Sequence, residues 1–361
     1  MRLAVIVRLA CVDSASVDSV GGLRHDDEPA KDQTMAIKKK QLGKGLHANC
    51  ITLSRDGKYA AGHTAAGHGG SDLCVVELAT GKERRITVEA PFTRIAAVDF
   101  LGPSLVVAAL EDAEPHDDLP WSVLVIDPDG TSVVRAPVVT KGTVAGSLAV
   151  GPEGQVALLV STALFLWNPG ELDAGKAPRR LELEVDPYGS RHIAWTDAGE
   201  LLVFASEKLV ELSPALEART LALPGIEPCQ DLSCSANAVA FLGSRSEGPG
   251  FANAITFVVD RKKGAVTATL DSTFDAAHLG GGELLGASGG KTWLKKKGWR
   301  KATRTPELEQ GYVMRMGLDG TPKDVVPMKL GRVDAFVSAG DVVIVGSNKG
   351  MTWYSGVFSK R

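Results

Sequence analysis

The feature that most constrains this chain is its punctuation: short apolar runs, each too brief for a globular helix, separated by turn residues at an almost even pace. The runs include Leu105–Leu110, Val123–Ile126, Val156–Val160, Ala163–Trp167, Leu201–Ala205, Ala238–Leu242, Ile255–Val259 and Val342–Val345. Val, Ile and Phe are frequent in them, and no amphipathic pattern of three helical turns interrupts them, so they read as strands. One class of turn joins two apolar runs: Asp56-Gly57, Gly102-Pro103, Glu153-Gly154, Asp197-Ala198-Gly199, Ser235-Ala236-Asn237, Gly280-Gly281-Gly282 and Ala339-Gly340. A second class follows a later run: Thr80-Gly81, Asp129-Gly130, Gly170 to Gly175, Ser213-Pro214, Lys263-Gly264 and Asp319-Gly320. Both classes recur roughly every 40–50 residues, the length of a four-stranded blade, with the last interval stretched by a basic insertion after Ser288.

Seven turns of the first class and six of the second predict an all-β, seven-bladed β-propeller over residues 35–361, with one strand missing. The charged segments Lys82-Glu83-Arg84-Arg85 and Arg179–Glu184 fit outer strands that face water, while the apolar runs fit inner strands packed on both faces. The seventh blade supplies Asp334–Ser338, Val342–Gly346 and Met351–Phe358 before the chain ends. Ala36–Leu42 is therefore predicted to add its outer strand, closing the ring and covering a sheet edge. Residues 1–34 are expected to be a disordered extension or a misassigned start. The apolar stretch Leu3–Val7 is short and followed by Arg8, Val12–Gln33 is polar and acidic, and Met35 opens a conventional beginning. No run of eighteen apolar residues occurs, so no membrane span is predicted and the cytoplasm is the expected compartment.

Three segments resemble the hairpin between the third and fourth strands of WD40-like repeats: Asp72–Glu83, Ser122–Gly130 and Leu166-Trp167-Asn168. Where that family has Trp-Asp, this chain has Val76-Glu77, Ile126-Asp127, Trp167-Asn168 and Val259-Asp260. Gly62-His63 and Gly67-His68 follow a second strand instead of preceding a first, so the family's hydrogen-bonded tetrad is not carried over. The resemblance covers residues 36–361 at the level of blade architecture. It implies the propeller fold and, through the fold, macromolecular binding; with no catalytic constellation in the sequence, the expected role is a monomeric, non-catalytic scaffold or adaptor for a protein partner.

The candidate chemistry is sparse. A net charge of -3 gives no global pull toward nucleic acid or an anionic membrane, so any charged contact must be local. The five cysteines, Cys11, Cys50, Cys74, Cys229 and Cys234, have neither disulfide-framework nor zinc spacing and read as structural thiols. Gly286-Ala287-Ser288-Gly289-Gly290 imitates a nucleophile elbow, yet no His follows His278 and no helix pattern follows the Ser. Gly289-Gly290-Lys291-Thr292 imitates the end of a phosphate-binding loop with its leading glycine misplaced, so it reads as a turn. No catalytic residue and no cofactor are assigned. His63, His68 and His116, with Asp72, Asp117 and Asp118, are the best metal-like set, though their spacing matches no ligand pattern.

The main surface feature is the basic run Lys291–Lys301, in which Lys295, Lys296, Lys297 and Arg300 interleave with Trp293 and Trp299. Such a run can dock a protein or, as a weaker expectation, stack on and pair with nucleic acid. An acidic counterpart holds Glu111, Asp112, His116 and Asp117, with Trp121 just beyond. Both join second to third strands, as do 62–71 and Ser244–Asn253, so all four emerge on one loop face. That face is the predicted binding surface. The alternative is a propeller enzyme, or a small-ligand or metal binder, acting at the central channel mouth.

Overall fold

The computed structural model describes residues 37–64, 72–88, 92–111, 118–127, 132–141, 146–184, 191–205, 208–223, 227–246, 252–271, 274–289 and 311–359. The expectations for residues 1–34 lie outside this set. Among the described residues, twenty-eight strands form seven four-stranded antiparallel sheets. After β1 (Lys38–Leu42), blade one holds β2 (Cys50–Leu53), β3 (Tyr59–His63), β4 (Asp72–Glu77) and β5 (Lys82–Thr87). Blade two holds β6 (Phe92–Leu101), β7 (Ser104–Glu111), β8 (Asp118–Ile126) and β9 (Ser132–Lys141). Blade three holds β10 (Gly146–Val150), β11 (Val156–Val160), β12 (Ala163–Trp167) and β13 (Arg179–Glu182). Blade four holds β14 (Arg191–Trp195), β15 (Leu201–Ala205), β16 (Lys208–Leu212) and β17 (Ala218–Ala222). Blade five holds β18 (Glu227–Cys234), β19 (Ala238–Ser246), β20 (Ala252–Asp260) and β21 (Ala265–Asp271). Blade six holds β22 (Ala276–Gly280), β23 (Glu283–Ser288), β24 (Tyr312–Met316) and β25 (Pro322–Pro327). Blade seven holds β26 (Ala335–Ala339), β27 (Val342–Ser347) and β28 (Gly350–Ser355).

The order β26-β27-β28-β1 completes blade seven with a strand from the other end of the chain, paired from Lys38↔Ser355 to Leu42↔Met351. Its polarity explains the placement. Lys38, Lys39, Lys40 and Gln41 are exposed, as suits an outer edge, while Leu42 is fully buried.

Among the described residues the core is divided, not single. Seven buried apolar clusters each lie at one blade–blade junction, because a blade has two apolar faces and no mate of its own. β11, β12 and β15 are buried at every residue, whereas the outer β5, β13 and β17 are mostly exposed. The turns obey local chemistry. At Asp56-Gly57, Ser54 Oγ accepts the amides of Lys58 (3.1 Å) and Tyr59 (2.8 Å), and Gly57 takes φ +67°.

Strand length breaks the symmetry. The first-to-second-strand turns define a turn face and the second-to-third connections a loop face. In blade three, β11 and β12 meet at Ser161-Thr162 after pairing Val160↔Ala163. In blade two, β7 runs on to Glu111 and β8 starts at Asp118, while β8 and β9 pair as far as Asp118↔Lys141. Blade five extends likewise, with β19 and β20 paired out to Ser246↔Ala252. All the extra length projects on the loop face.

Candidate functional site

Blades three and four, the low pair, lie between the raised blades two and five in chain order and around the ring. The loop face therefore presents a saddle: two tall hairpins flanking two short ones. Glu111 ends the inner wall of one hairpin. Asp112, His116, Asp117, His68, Trp293, Lys295, Lys296, Lys297, Trp299 and Arg300 lie outside the described residues. The strand ends that carry the basic run, Ser288 and Tyr312, pair with each other at the loop-face end of blade six.

Two sequence expectations need correction. Trp121 belongs to the core, not to the loop face: it is 1% exposed and packs between blades two and three. The reason is that β8 starts at Asp118, well before the apolar run Val123–Ile126, so Trp121, Val123 and Val125 share one inward face. His63 was expected in a loop. It closes β3, pairs across to Cys50 and is only 4% exposed. Among the described residues, no group of three or more His, Cys, Asp or Glu side chains could hold a metal. Ser288 of the elbow-like motif ends β23 and is 1% exposed.

The second candidate region is the central channel, a cavity of about 480 Å³ lined by the innermost strands of blades one to six. The channel-side edge of an innermost strand has no sheet partner, so its backbone groups need another source of hydrogen bonds. Neighbouring blades supply it. Asp99 accepts the Val150 amide (2.7 Å), Ser147 Oγ the Ile193 amide (3.1 Å) and Ser233 Oγ the Leu279 amide (2.8 Å). In the other direction Trp195 Nε1 donates to the Ala149 carbonyl (3.2 Å). Sequence reading missed this belt. Its signal is a polar residue recurring roughly every 45 residues along the innermost strands: Thr52, Asp99, Ser147, His192, Ser233, His278.

The belt also fixes charge. Burial pushes the Asp99 carboxyl up, opposed by the Val150 and Phe100 amides and the Thr52 hydroxyl, which donates at 2.9 Å. Burial pushes His63, His192 and His278 down to about 4, so their rings are neutral near pH 7. The Cys234 thiol is pushed up to about 12 by burial, which leaves it inert. At the turn face, Arg55 of blade one bridges to Asp197 of blade four at 2.5 Å, spanning the channel mouth.

No family model matches the chain, and no curated protein does. Among solved structures, the chain is similar to the extracellular domain of the putative one component system BT4673 from B. thetaiotaomicron. The TM-score is 0.53 at 13% identity, over 88% of this chain and 40% of that one. It also matches BamB from Moraxella catarrhalis (TM-score 0.47, 14% identity, 86% of this chain and 83% of that chain). A computationally designed protein, Ika8, aligns over 87% of this chain and 98% of its own (TM-score 0.45, 12% identity). At these identities the likeness is one of fold: a seven-bladed propeller.

Proposed function

We propose that this chain is a monomeric, non-catalytic scaffold that docks a protein partner on its loop face. The observation that carries the reading is the saddle. Length has been added to blades two and five on one face alone, which gives that face its relief. Rigid frames that lengthen connections on one side concentrate recognition there. The basic run 291–301 and the acidic run 111–118 start from strand ends on that same face and would orient the partner by charge.

The test is cross-linking of a purified complex, followed by mass spectrometry. Cross-links should map to Lys141 and to lysines of 291–301. The variant K295E/K296E/K297E should weaken the complex about tenfold or more while leaving the melting curve unchanged. Cross-links confined to turn-face lysines such as Lys58, Lys262 and Lys263, or an unaffected complex, would remove the reading.

A further inference from the structure

We propose that β17, the outer edge of blade four, takes up an extended segment of a partner protein as a fifth, antiparallel strand, apolar on one face and acidic on the other. The site lies on the rim of the ring, apart from the loop face. Every second residue of an outermost strand directs its N–H and C=O away from the sheet, and proteins guard such edges with charge, proline or a bulge. Six of the seven outer strands are guarded in this way. β1 carries Lys38, Lys39 and Lys40, four of the six residues of β5 are charged, and so are three of the four in β13. β9, β21 and β25 each pair inward through a register shift, and β9 and β25 also contain proline. β17 has none of these devices. It pairs in unbroken register from Leu212↔Ala218 to Lys208↔Ala222, carries one charged residue, Arg219, and has no described strand on its other side.

Strand addition draws affinity from main-chain hydrogen bonds and specificity from alternate side chains. Arg219 and Leu221 face blade five: Leu221 packs against the four–five cluster, and the Lys263-Gly264 turn abuts both side chains. Ala218, Thr220 and Ala222 therefore face blade three, where their small size leaves room. Half-buried Leu181, Leu183 and Leu216 border the three–four junction on that side, so an added apolar side chain would extend their burial. The blade-five side is cationic. Arg219 is 53% exposed and reaches Glu211 only at 3.6 Å, because Arg261 already holds that carboxylate at 3.1 Å. Lys262 is exposed and has no carboxylate partner among the described residues. Acidic side chains on this face of the added strand would meet that spare charge.

Fluorescence anisotropy and hydrogen-exchange mass spectrometry on the full chain, with the capped peptide Thr-Val-Glu-Val-Glu-Val-Thr as probe, test the edge. Saturable binding is expected, with the amides of Ala218–Ala222 gaining protection. Methylating alternate peptide nitrogens should abolish binding in one phase of the alternation and spare it in the other, because only one set faces β17. Exchanging both Glu for Lys should weaken binding about tenfold or more. Neighbouring residues of β17 direct their N–H groups oppositely, so one of R219P and T220P removes an outward donor, keeps the ladder to β16 and the melting curve, and loses the peptide. K295E/K296E/K297E should bind the peptide like the parent, which separates this edge from the loop face. The proposal is overturned by absence of saturable binding, by equal affinity for the two methylated peptides, or by equal binding of the Lys peptide. Protection confined to another strand, or self-association of the free chain that the folded proline variant abolishes, would overturn it as well.

Discussion

The seam between blades seven and one and the junction between blades four and five perform the same task with different chemistry. At the seam the chain is not continuous between the two ends it joins, and strand pairing holds it. β1 lies along β28, Trp353 Nε1 donates to the Leu78 carbonyl at 2.9 Å, and Lys40 Nζ donates to the Gly81 carbonyl at 2.8 Å. Gly62 has no Cβ because the Met351 sulfur occupies that space. The four–five junction is covalently continuous and is fastened by charge. Arg261, 6% exposed, donates to Glu211 at 3.1 Å and to Glu200, and its second terminal nitrogen donates to the Ala236 carbonyl at 3.1 Å. The same junction buries Phe204, Phe241 and Phe257, the first pair tilted and the second stacked, with centroids 4.4 and 5.4 Å apart. A ring can tolerate a polar clasp between blades that the chain already tethers. At its own ends it relies on backbone ladders and buried leucines.

The sharpest way to break this contrast is to remove the seam strand. Deleting residues 36–46 takes away the β1 ladder together with Leu42 and Leu46, which are 0% and 8% exposed. At about 2 kcal/mol per buried leucine plus the ladder, the loss is on the order of 5 kcal/mol. Much of the margin of a typical domain disappears, and chemical denaturation should show a broadened transition or an insoluble product. Deleting residues 1–34 should leave the transition where it was. Equal behaviour of the two truncations would mean that β1 does not close the ring.

Next in size is R261M at the charged junction. It leaves Glu211, 9% exposed, with the half-exposed Arg219 at 3.6 Å in place of its buried partner, and should destabilise by about 3 kcal/mol in the same denaturation experiment. Replacing the whole cluster, R261M/E200Q/E211Q, should recover most of that loss. If the triple variant were as unstable as the single one, the network would be worth more than its desolvation allows.

These two regions were unequally legible in the amino-acid order. The seam was readable because its logic is arithmetic: seven inner turns, six outer ones, and one unassigned extended segment, Ala36–Leu42. The runs Val156–Val160, Ala163–Trp167 and Leu201–Ala205 coincide with β11, β12 and β15, since strands buried on both faces leave an unbroken apolar signature. Arg261 was silent. Asp260-Arg261-Lys262-Lys263 reads as a solvated turn, and only the approach of Glu200 and Glu211 from the adjoining blade makes that arginine interior. Trp121 misled for a related reason, because Pro120 and the acidic run before it mask the early start of β8. The channel histidines were hidden because burial against another blade is a property of the ring, not of the segment.

Titration separates the channel from the charged junction. The folded pKa of His63 is depressed to about 4 from 6.5, so the unfolded chain binds the extra proton first as the pH falls. Stability is therefore full above about pH 6.5 and declines as the pH drops toward 4, by at most roughly 3 kcal/mol for this one group. Glu200 acts lower: Arg261 holds its carboxyl below 4.5, so its contribution persists above 4.5 and fades only in stronger acid. Asp99 runs the other way, since its raised pKa makes the folded state take up a proton early and adds stability on the acid side. Thermal melts from pH 7 to pH 4 should show the first decline in the parent and a shallower one in H63F. A parallel slope in both would place the acid sensitivity elsewhere.

The smallest effect belongs to a third junction, the Arg55–Asp197 bridge, which joins blades one and four across the channel mouth. It shares its chemistry with the Arg261 clasp and differs in solvent: its side chains are 44% and 81% exposed, against 7% for Arg261. Water and salt screen such a pair, so a double-mutant cycle of R55A and D197A should give a coupling of about 0.5 kcal/mol. That coupling should shrink further in about 1 M salt, where the Debye length is roughly 3 Å. The parent and R55A should then unfold at nearly the same denaturant concentration. A coupling as large as that expected at Arg261 would mean that burial is not what separates the two charge clusters, and that geometry at 2.5 Å alone sets the strength of a bridge in this ring.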